Sequence, residues 1–354
     1  MNNKVLIGMS GGVDSSVTAY ILKEKGYNCI GVTMRTWGED SNSAFEHEAA
    51  DAKAVCDRLG IPHFIKDCRD IFKEEVMDYF VSEYKRGRTP NPCMVCNRKI
   101  KWEVLLAAAD EMDAEYVATG HYAFIKELPN KRLSVSNASQ GKDQSYVLFN
   151  LTQEQLRRTI MPLGEYSKDQ IRKIASDIGI EVADKPDSQD ICFIPDGDYV
   201  KFLSQYADYR PKPGNFIYED GTVIGTHKGI VNYTIGQRKG LNLSMGHPVF
   251  VTAIRSESNE VVIGSNEDLH KNNLIVEAVN YMGMPEPEVG VVVSGIGKIR
   301  YAHKGSSCRL LKREDGMIEV TFDEPVRAIT PGQGFVFYDN TENMNILCGG
   351  IIHA

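Results

Sequence analysis

Apolar positions follow two different rhythms along the chain. In the first part, short compact apolar runs alternate with longer stretches of helical period. Lys4 to Ile7 is a compact run with β-branched members closed by glycine, which predicts a buried strand. Ser15 to Lys25 puts Val17, Ile21 and Leu22 on one side and stops at Gly26, which predicts a helix. By the same signals Cys29 to Met34 reads as a second strand, 46–59 as an alanine-rich helix and His63 to Ile65 as a third strand. Ile71 to Tyr84 is helical, with Phe72, Val76, Tyr79 and Phe80 at helical spacing. A helix from Ile100 to Met112, a strand from Tyr116 to Thr119, a hairpin over 122–136 and helices over 153–160 and 167–178 follow.

From about Pro211 the rhythm changes to short β-prone segments punctuated by glycine: Phe216-Ile217, Val223-Ile224, Val249 to Ile254 and Val261 to Ile263. Beyond Asn272 they lengthen, at Leu274 to Val279, Gly290 to Ile299, Cys308 to Leu311, Met317 to Phe322 and Gly334 to Tyr338. The pattern predicts an α/β protein with an N-terminal doubly wound parallel sheet over 1–205. A small β-rich central domain over 206–271 and a C-terminal antiparallel β-barrel over 272–354 follow it.

Composition changes this picture little. The 354 residues suffice for two or three domains, and 42% hydrophobic with 25% charged residues is ordinary for a globular protein. No run approaches a membrane span and no leader precedes the first strand, so a cytoplasmic location is expected. The net charge of −8 speaks against coating nucleic acid nonspecifically. It leaves room for local basic patches such as Lys85-Arg86-Gly87-Arg88 and Lys298 through Lys304. Eight scattered cysteines fit thiol chemistry or metal binding better than a disulfide scaffold.

The candidate chemistry begins between the first strand and helix, at Gly8-Met9-Ser10-Gly11-Gly12-Val13-Asp14-Ser15. Its glycines let backbone N–H groups close on an anion, its serines add hydroxyl donors, and the helix dipole favours a phosphate there. It lacks the Gly-Lys-Ser/Thr ending of a Walker A loop and is not G-x-G-x-x-G. The plain alternative is a glycine-rich turn without a ligand. Ligands in doubly wound sheets sit at the carboxyl ends of the strands, where this loop would meet the region after Met34.

A second candidate is Gly87 to Lys101, with Cys93-x-x-Cys96. Pro90 and Pro92 predict an extended segment, leaving Cys96 at the start of the next helix beside Arg98, Lys99 and Lys101. A thiol so placed is expected to have a lowered pKa and to be a nucleophile. The CxxC spacing also suits a metal, but one pair does not complete a four-ligand site and no second pair exists. Cys192 lies in a short apolar tract of a polar loop, where an inert buried thiol is the default. Gly120 would let a ligand approach the end of a strand, His121 alone reads as structural, and Lys142-Asp143-Gln144-Ser145 is a compact polar patch.

The first loop resembles the PP-loop (Ser-Gly-Gly-x-Asp-Ser) of ATP pyrophosphatases, which cleave ATP between its α and β phosphates. Gly8 to Ser15, Pro90-Asn-Pro-x-x-x-Cys-Asn97, Thr119-Gly-His-Tyr122, Lys142 to Ser145 and Ser188-Gln-Asp-Ile-Cys192-Phe together resemble the tRNA-specific 2-thiouridylase (MnmA) family, in order. Tyr233 to Gly240 and the C-terminal barrel agree with it. The resemblance implies ATP with Mg2+, the nucleotide held by Gly8, Met9, Ser10, Gly11, Gly12, Val13, Asp14, Ser15, Met34 and Gly120, and no resident metal site. It implies tRNA contacts at Asn91, Pro92 and Cys93 for the target base, and at His121, Lys142, Asp143, Gln144, Arg300, Tyr301 and Gln333. Cys96 would be the catalytic nucleophile and Cys192 the persulfide carrier, the two ending the cycle as a disulfide. A persulfide donor or sulfur-relay protein is then a partner.

One departure stands out: Cys93 occupies a position where many members have aspartate, so an acid/base role for that carboxylate does not carry over. Two alternatives keep the loop. Cys93, Cys96 and Cys192 could hold an iron–sulfur cluster, or the chain could be an amide-forming ATP pyrophosphatase with no RNA partner.

Overall fold

The first strand, β1 (Lys4–Gly8), lies at the centre of a five-stranded parallel sheet. The computed structural model describes residues 3–38, 43–138, 142–180 and 191–353. Val5 and Ile7 face a cluster with Val17, Leu22 and Ile171, while Leu6 faces one with Trp102 and Leu105. A strand covered on both sides needs an unbroken apolar run, and Val5-Leu6-Ile7 supplies it.

After α1 (Val13–Glu24) the chain adds β2 (Asn28–Arg35), a helix Ser43–Leu59 and β3 (His63–Asp67) on one side of β1. It then crosses to the other side with β4 (Tyr116–Ala118), makes the hairpin β5 (Ala123–Glu127) and β6 (Leu133–Asn137), and adds β7 (Thr159–Ile160). The strand order β3-β2-β1-β4-β7 therefore reverses between β1 and β4. A crevice opens at such a switch point, at the carboxyl ends of the strands. The loop after Gly8 and the turn at Gly120 lie there.

Several expectations are corrected. The helix expected over 153–160 stops at Arg157, and Thr159 and Ile160 pair with Val117 and Ala118. Both residues are β-branched and suit a strand. Pro92 does not hold an extended segment but begins a helix at its first position, where a missing N–H costs nothing. From there Pro92–Cys96, Asn97–Val104 and Leu105–Glu111 run on as one rod, with a wider π-helical stretch in the middle. The helix Tyr199–Ala207 and the last barrel strand were not anticipated.

The central sheet comprises β8 (Gly214–Ile217), β9 (Val223–His227), β10 (Phe250–Arg255) and β11 (Glu260–Gly264), in the order β10-β11-β8-β9. The C-terminal strands are β12 (His270–Tyr281), β13 (Val292–Lys298), β14 (Ser306–Lys312), β15 (Ile318–Arg327), β16 (Gly334–Tyr338) and β17 (Ile346–Ile352). They close a barrel, β12-β15-β14-β13-β16-β17. Its outer side is fused to the parallel-sheet domain, because Met282, Val336, Tyr338 and Ile346 belong to the same core as Leu6 and Trp102. Tyr146 donates its hydroxyl to the Gly334 carbonyl (2.7 Å), and Asn280 Nδ2 donates to those of Phe149 and Leu151. Among the described residues no helix is long and apolar enough to cross a membrane.

Candidate functional site

The glycine-rich loop is held by its own backbone and hydroxyls. Met9 and Val13 are buried, and Met9 N–H donates to the Val32 carbonyl at 2.8 Å. Ser15 Oγ donates to the Gly12 carbonyl (3.1 Å), accepts from Ser10 N–H (3.2 Å) and lies 3.2 Å from Ser10 Oγ. Gly11 has φ +68°, and a Cβ there would meet the Glu48 carbonyl oxygen, so only glycine fits without strain. Across the switch point a Cβ on Gly120 would lie 2.9 Å from the backbone of Asp14, so β4 presses its end directly on the loop. Met34 is half-buried near the end of β2, two residues beyond the Val32–Gly8 pairing.

Asp14 is the electrostatic centre of this crevice. Tyr122 donates its hydroxyl to Oδ1 at 2.7 Å, Lys168 Nζ donates to the same oxygen at 2.7 Å, and Lys142 Nζ stands 3.5 Å from Oδ2. The ammonium groups of Lys142 and Lys168 also lie over the Tyr122 ring, at 4.9 and 5.9 Å from its centre respectively. Tyr122 is buried and fixed by Gln144, which exchanges backbone and side-chain hydrogen bonds with it.

Two of the three candidate thiols, Cys93 and Cys96, share one helix. Asn91 caps the helix that begins at Pro92, its Oδ1 accepting from Cys93 N–H at 3.2 Å. Cys93 is exposed in the first turn, and Cys96 follows one turn deeper and half-buried. Asn97 and Asn150 fasten the rod, donating to the carbonyls of Val147 and Met94. Cys96 packs in an apolar cluster with Ile100, Phe193 and Met34, which links it to the strand beside the nucleotide loop.

Burial pushes the Cys96 thiol up to about 11, with Lys101 opposing and Cys93 adding to the rise. The expected lowering is thus reversed: the helix starts a turn earlier than anticipated, so Cys96 sits inside it among apolar side chains. Cys192 reaches solvent, yet its crowded surroundings raise it to about 12, and charge on Cys96 or Cys93 raises it further. All eight cysteines are free thiols, the reduced state in which the cycle would begin. Among the described residues no three His, Cys, Asp or Glu side chains are gathered to hold a metal ion. The three thiols as placed do not make the alternative cluster site. Ser188 to Asp190 of the Cys192 motif lie outside the described residues.

Most of the expected tRNA residues are drawn together around the barrel. Tyr301 is exposed and donates its hydroxyl to the Asp143 carbonyl at 2.8 Å, joining the barrel to the Lys142–Gln144 segment. Asp143 Oδ1 accepts from Ser145 N–H (3.0 Å), and Arg300 Nη1 donates to the Arg327 carbonyl (2.9 Å). Gln333 Nε2 donates to the Thr89 carbonyl (2.7 Å), near Asn91 to Cys93. His121 differs. It is buried beside Thr119 and Trp102, and burial holds its pKa well below the usual imidazole range.

Three domain families match: a tRNA methyl transferase HUP domain over residues 3–196, a tRNA methyl transferase PRC-barrel domain over 200–265 and an aminomethyltransferase beta-barrel domain over 271–352. The chain is 50% identical to the tRNA-specific 2-thiouridylase MnmA of Lachnoclostridium phytofermentans, over 98% of each chain. It is 47% identical to that of Clostridium beijerinckii, over 100% of this chain and 99% of the relative. The chain belongs to the tRNA-specific 2-thiouridylase family. Its Clostridium perfringens relative of the same name is 47% identical over 99% of this chain and 98% of the other.

For a 2-thiouridylase, two residues of the crevice escaped the sequence reading. Tyr122 stands within Thr119-Gly-His-Tyr122 without a local signal of its contact with Asp14, and Lys168 lies in no motif. Lys168 comes from far along the chain, and a single lysine at the start of an amphipathic helix carries no local signal.

Proposed function

We propose that this chain, a sulfurtransferase by family, replaces O2 of the wobble uridine of tRNA with sulfur in an ATP-dependent reaction that releases AMP and pyrophosphate. Residues 1–205 would bind ATP and carry the chemistry, 206–271 would support it, and 272–354 would contact tRNA. The observation that carries the reading is the junction of two sites. Cys96 shares an apolar cluster with Met34 at the nucleotide loop, while Lys142–Gln144 touches Asp14 on one side and Tyr301 of the barrel on the other.

ATP would lie with its phosphates on the loop Gly8 to Ser15 and its adenine toward Met34 and Gly120. A Mg2+ travelling with ATP would draw its shell from phosphate and water, beside an Asp14 carboxylate already engaged by Lys168, Tyr122 and Lys142. It would neutralise charge on the phosphates. The uridine O2 attacks the α phosphorus, and pyrophosphate leaves. A persulfide on Cys192, supplied by a donor or relay protein, attacks C2 with its outer sulfur and expels AMP. Cys96 as thiolate then attacks Cys192 Sγ, freeing the 2-thiouridine and leaving a Cys96–Cys192 disulfide. Both thiols start with raised pKa values, so this step needs the loops to close and bring cations nearer. Asn91, Pro92 and Cys93 would position the base.

The test is direct. The full chain, ATP, a persulfide donor and unmodified tRNA should yield 2-thiouridine, detected by mass spectrometry of nucleosides. Absence of thiolation with the persulfide donor would contradict the reading.

A further inference from the structure

Acidic residues outnumber basic ones in this chain, 48 to 40, and several barrel cations are accordingly paired: Arg309 with Asp323, Lys312 with Glu286 and Arg313 with Asp315. Where the barrel meets the central domain the pattern reverses. Among the described residues Lys298, Arg300, Arg327, Arg238 and Lys239 meet no carboxylate; what faces them is carbonyls, an amide and rings. Lys298 is the sharpest case. It ends β13, is 9% exposed, and has only the Tyr338 ring beside its ammonium, 5.1 Å from the centre. A buried ammonium costs free energy unless an anion faces it. Burial, and then the charges of Arg300 and Lys298, hold the His303 pKa below the usual imidazole range, so these two cations stand together.

The line of cations continues into the central domain. Arg300 Nη1 donates to the Arg327 carbonyl (2.9 Å), and Arg327 reaches across, its guanidinium 5.3 Å from the centre of the Phe250 ring and its Nε donating to Asn266 Oδ1 at 3.0 Å. A Cβ on Gly236 would lie 3.7 Å from Arg327 Nη1, which places the turn over 234–239 against it. That turn is braced from within. Gln237 Oε1 accepts from Thr234 N–H (3.0 Å), Gln237 Nε2 donates to the Lys239 carbonyl (3.0 Å), and Gly236 N–H donates to the Val251 carbonyl (2.8 Å). Its backbone is therefore fixed while Arg238 and Lys239 are exposed, so an arriving anion has little left to order.

We propose that Arg238 and Lys239, continued by Arg327 and Lys298, form a phosphate-binding ridge on which the tRNA backbone lies, so that the central domain holds the substrate directly. This goes beyond the reading above, which gives tRNA contact to 272–354, and rests on tRNA being the substrate. Several separated cations without acids suit a polyanion better than one small anion, and the exposed Tyr301 offers a ring face at the end of the line. The Thr234 and Thr89 hydroxyls, 3.2 Å apart, tie the turn to the entry of the Cys93–Cys96 helix, which the target base must reach.

The test is the salt dependence of tRNA binding by the full chain, wild type and the double variant Arg238→Gln with Lys239→Gln, read with fluorescently labelled unmodified tRNA. Loss of two phosphate contacts should lower the slope of log affinity against log salt by about 2 and weaken binding about tenfold or more at low salt. The loss should be the same for tRNA with exchanged anticodon-stem base pairs, because phosphates carry no sequence. Arg238→Lys, which keeps the charge, should keep the wild-type slope, as should Arg313→Gln, whose cation is already paired with Asp315. An unchanged slope in the double variant would overturn the proposal, and if persulfide loading of Cys192 slowed instead, the ridge would belong to the sulfur-donor protein. A loss confined to one stem sequence, or an equal loss in Arg238→Lys, would overturn it too. Wild-type protein that binds no tRNA would instead overturn the tRNA reading itself.

Discussion

Gln333 and Thr89 are 244 residues apart in sequence and joined by a hydrogen bond, Gln333 Nε2 donating to the Thr89 carbonyl at 2.7 Å. Thr89 N–H also donates to the Pro331 carbonyl (2.9 Å), and its hydroxyl bonds to that of Thr234 (3.2 Å). The segment that enters the Cys93–Cys96 helix is therefore gripped by the barrel and the central domain together. Gln333→Ala should cost about 1 kcal/mol of stability by urea titration. It should lower kcat for thiolation while leaving ATP affinity unchanged. A loss confined to stability would make the bond a plain fastening.

Arg88 continues this grip. Its Nε lies 2.9 Å from buried Glu83 Oε2, poorly aligned for a hydrogen bond, and its Nη2 lies 2.6 Å from Glu277 Oε1. Burial raises the Glu83 pKa, and Arg88 opposes that rise. A carboxyl whose folded pKa is raised contributes its stability below the unfolded pKa and loses it as pH climbs through the folded pKa. Arg88→Met leaves Glu83 with the more exposed Arg86, and should destabilise the protein by about 3 kcal/mol at pH 7.5. The deficit should shrink toward pH 5 and in the double variant with Glu83→Gln. A pH-independent deficit would show that Glu83 is not the buried charge responsible.

Cys96 offers a kinetic check. With its thiol raised to about 11 by burial, alkylation by iodoacetamide in the tRNA-free protein should be slow at pH 7.5 and still rising at pH 10. Peptide mass spectrometry would resolve it from Cys93, which is exposed. A plateau below pH 8.5 would mean that the resting thiol is already activated.

The βα alternation and the glycine loop were legible because they depend on local rhythm: Val5-Leu6-Ile7 is buried on both faces, and Gly11 needs its positive φ. What depends on distant partners was not. Thr159-Ile160 is too short to show a period and becomes a strand only because β4 offers an edge. The thiol of Cys96 looked activated beside Arg98, Lys99 and Lys101, but Glu103 holds Arg98 and Lys99, at 3.6 and 3.4 Å. Only Lys101 lowers it, and burial outweighs that. That Met282 and Tyr338 of the barrel complete the core around Trp102 likewise depends on distant partners.

Cys93 distinguishes the persulfide route from a cluster. Cys93→Asp should keep much of the activity, because aspartate can position a base but is a hard donor poorly suited to replace a thiolate on iron. Cys96→Ser and Cys192→Ser should be inactive, and thiolation should proceed without iron. Iron-dependent turnover of anaerobically purified protein, lost in Cys93→Asp, would favour the cluster.

The central claim joins the loop at Asp14 to thiolation through adenylation of the uridine. Its most direct measurement follows α-phosphate-labelled ATP with tRNA and a sulfur source, counting AMP, pyrophosphate and 2-thiouridine in one reaction. One AMP and one pyrophosphate should appear per thiouridine formed, and Asp14→Ala, folded by circular dichroism, should abolish all three together. ADP and phosphate as the coupled products, or thiolation that persists in Asp14→Ala, would contradict it.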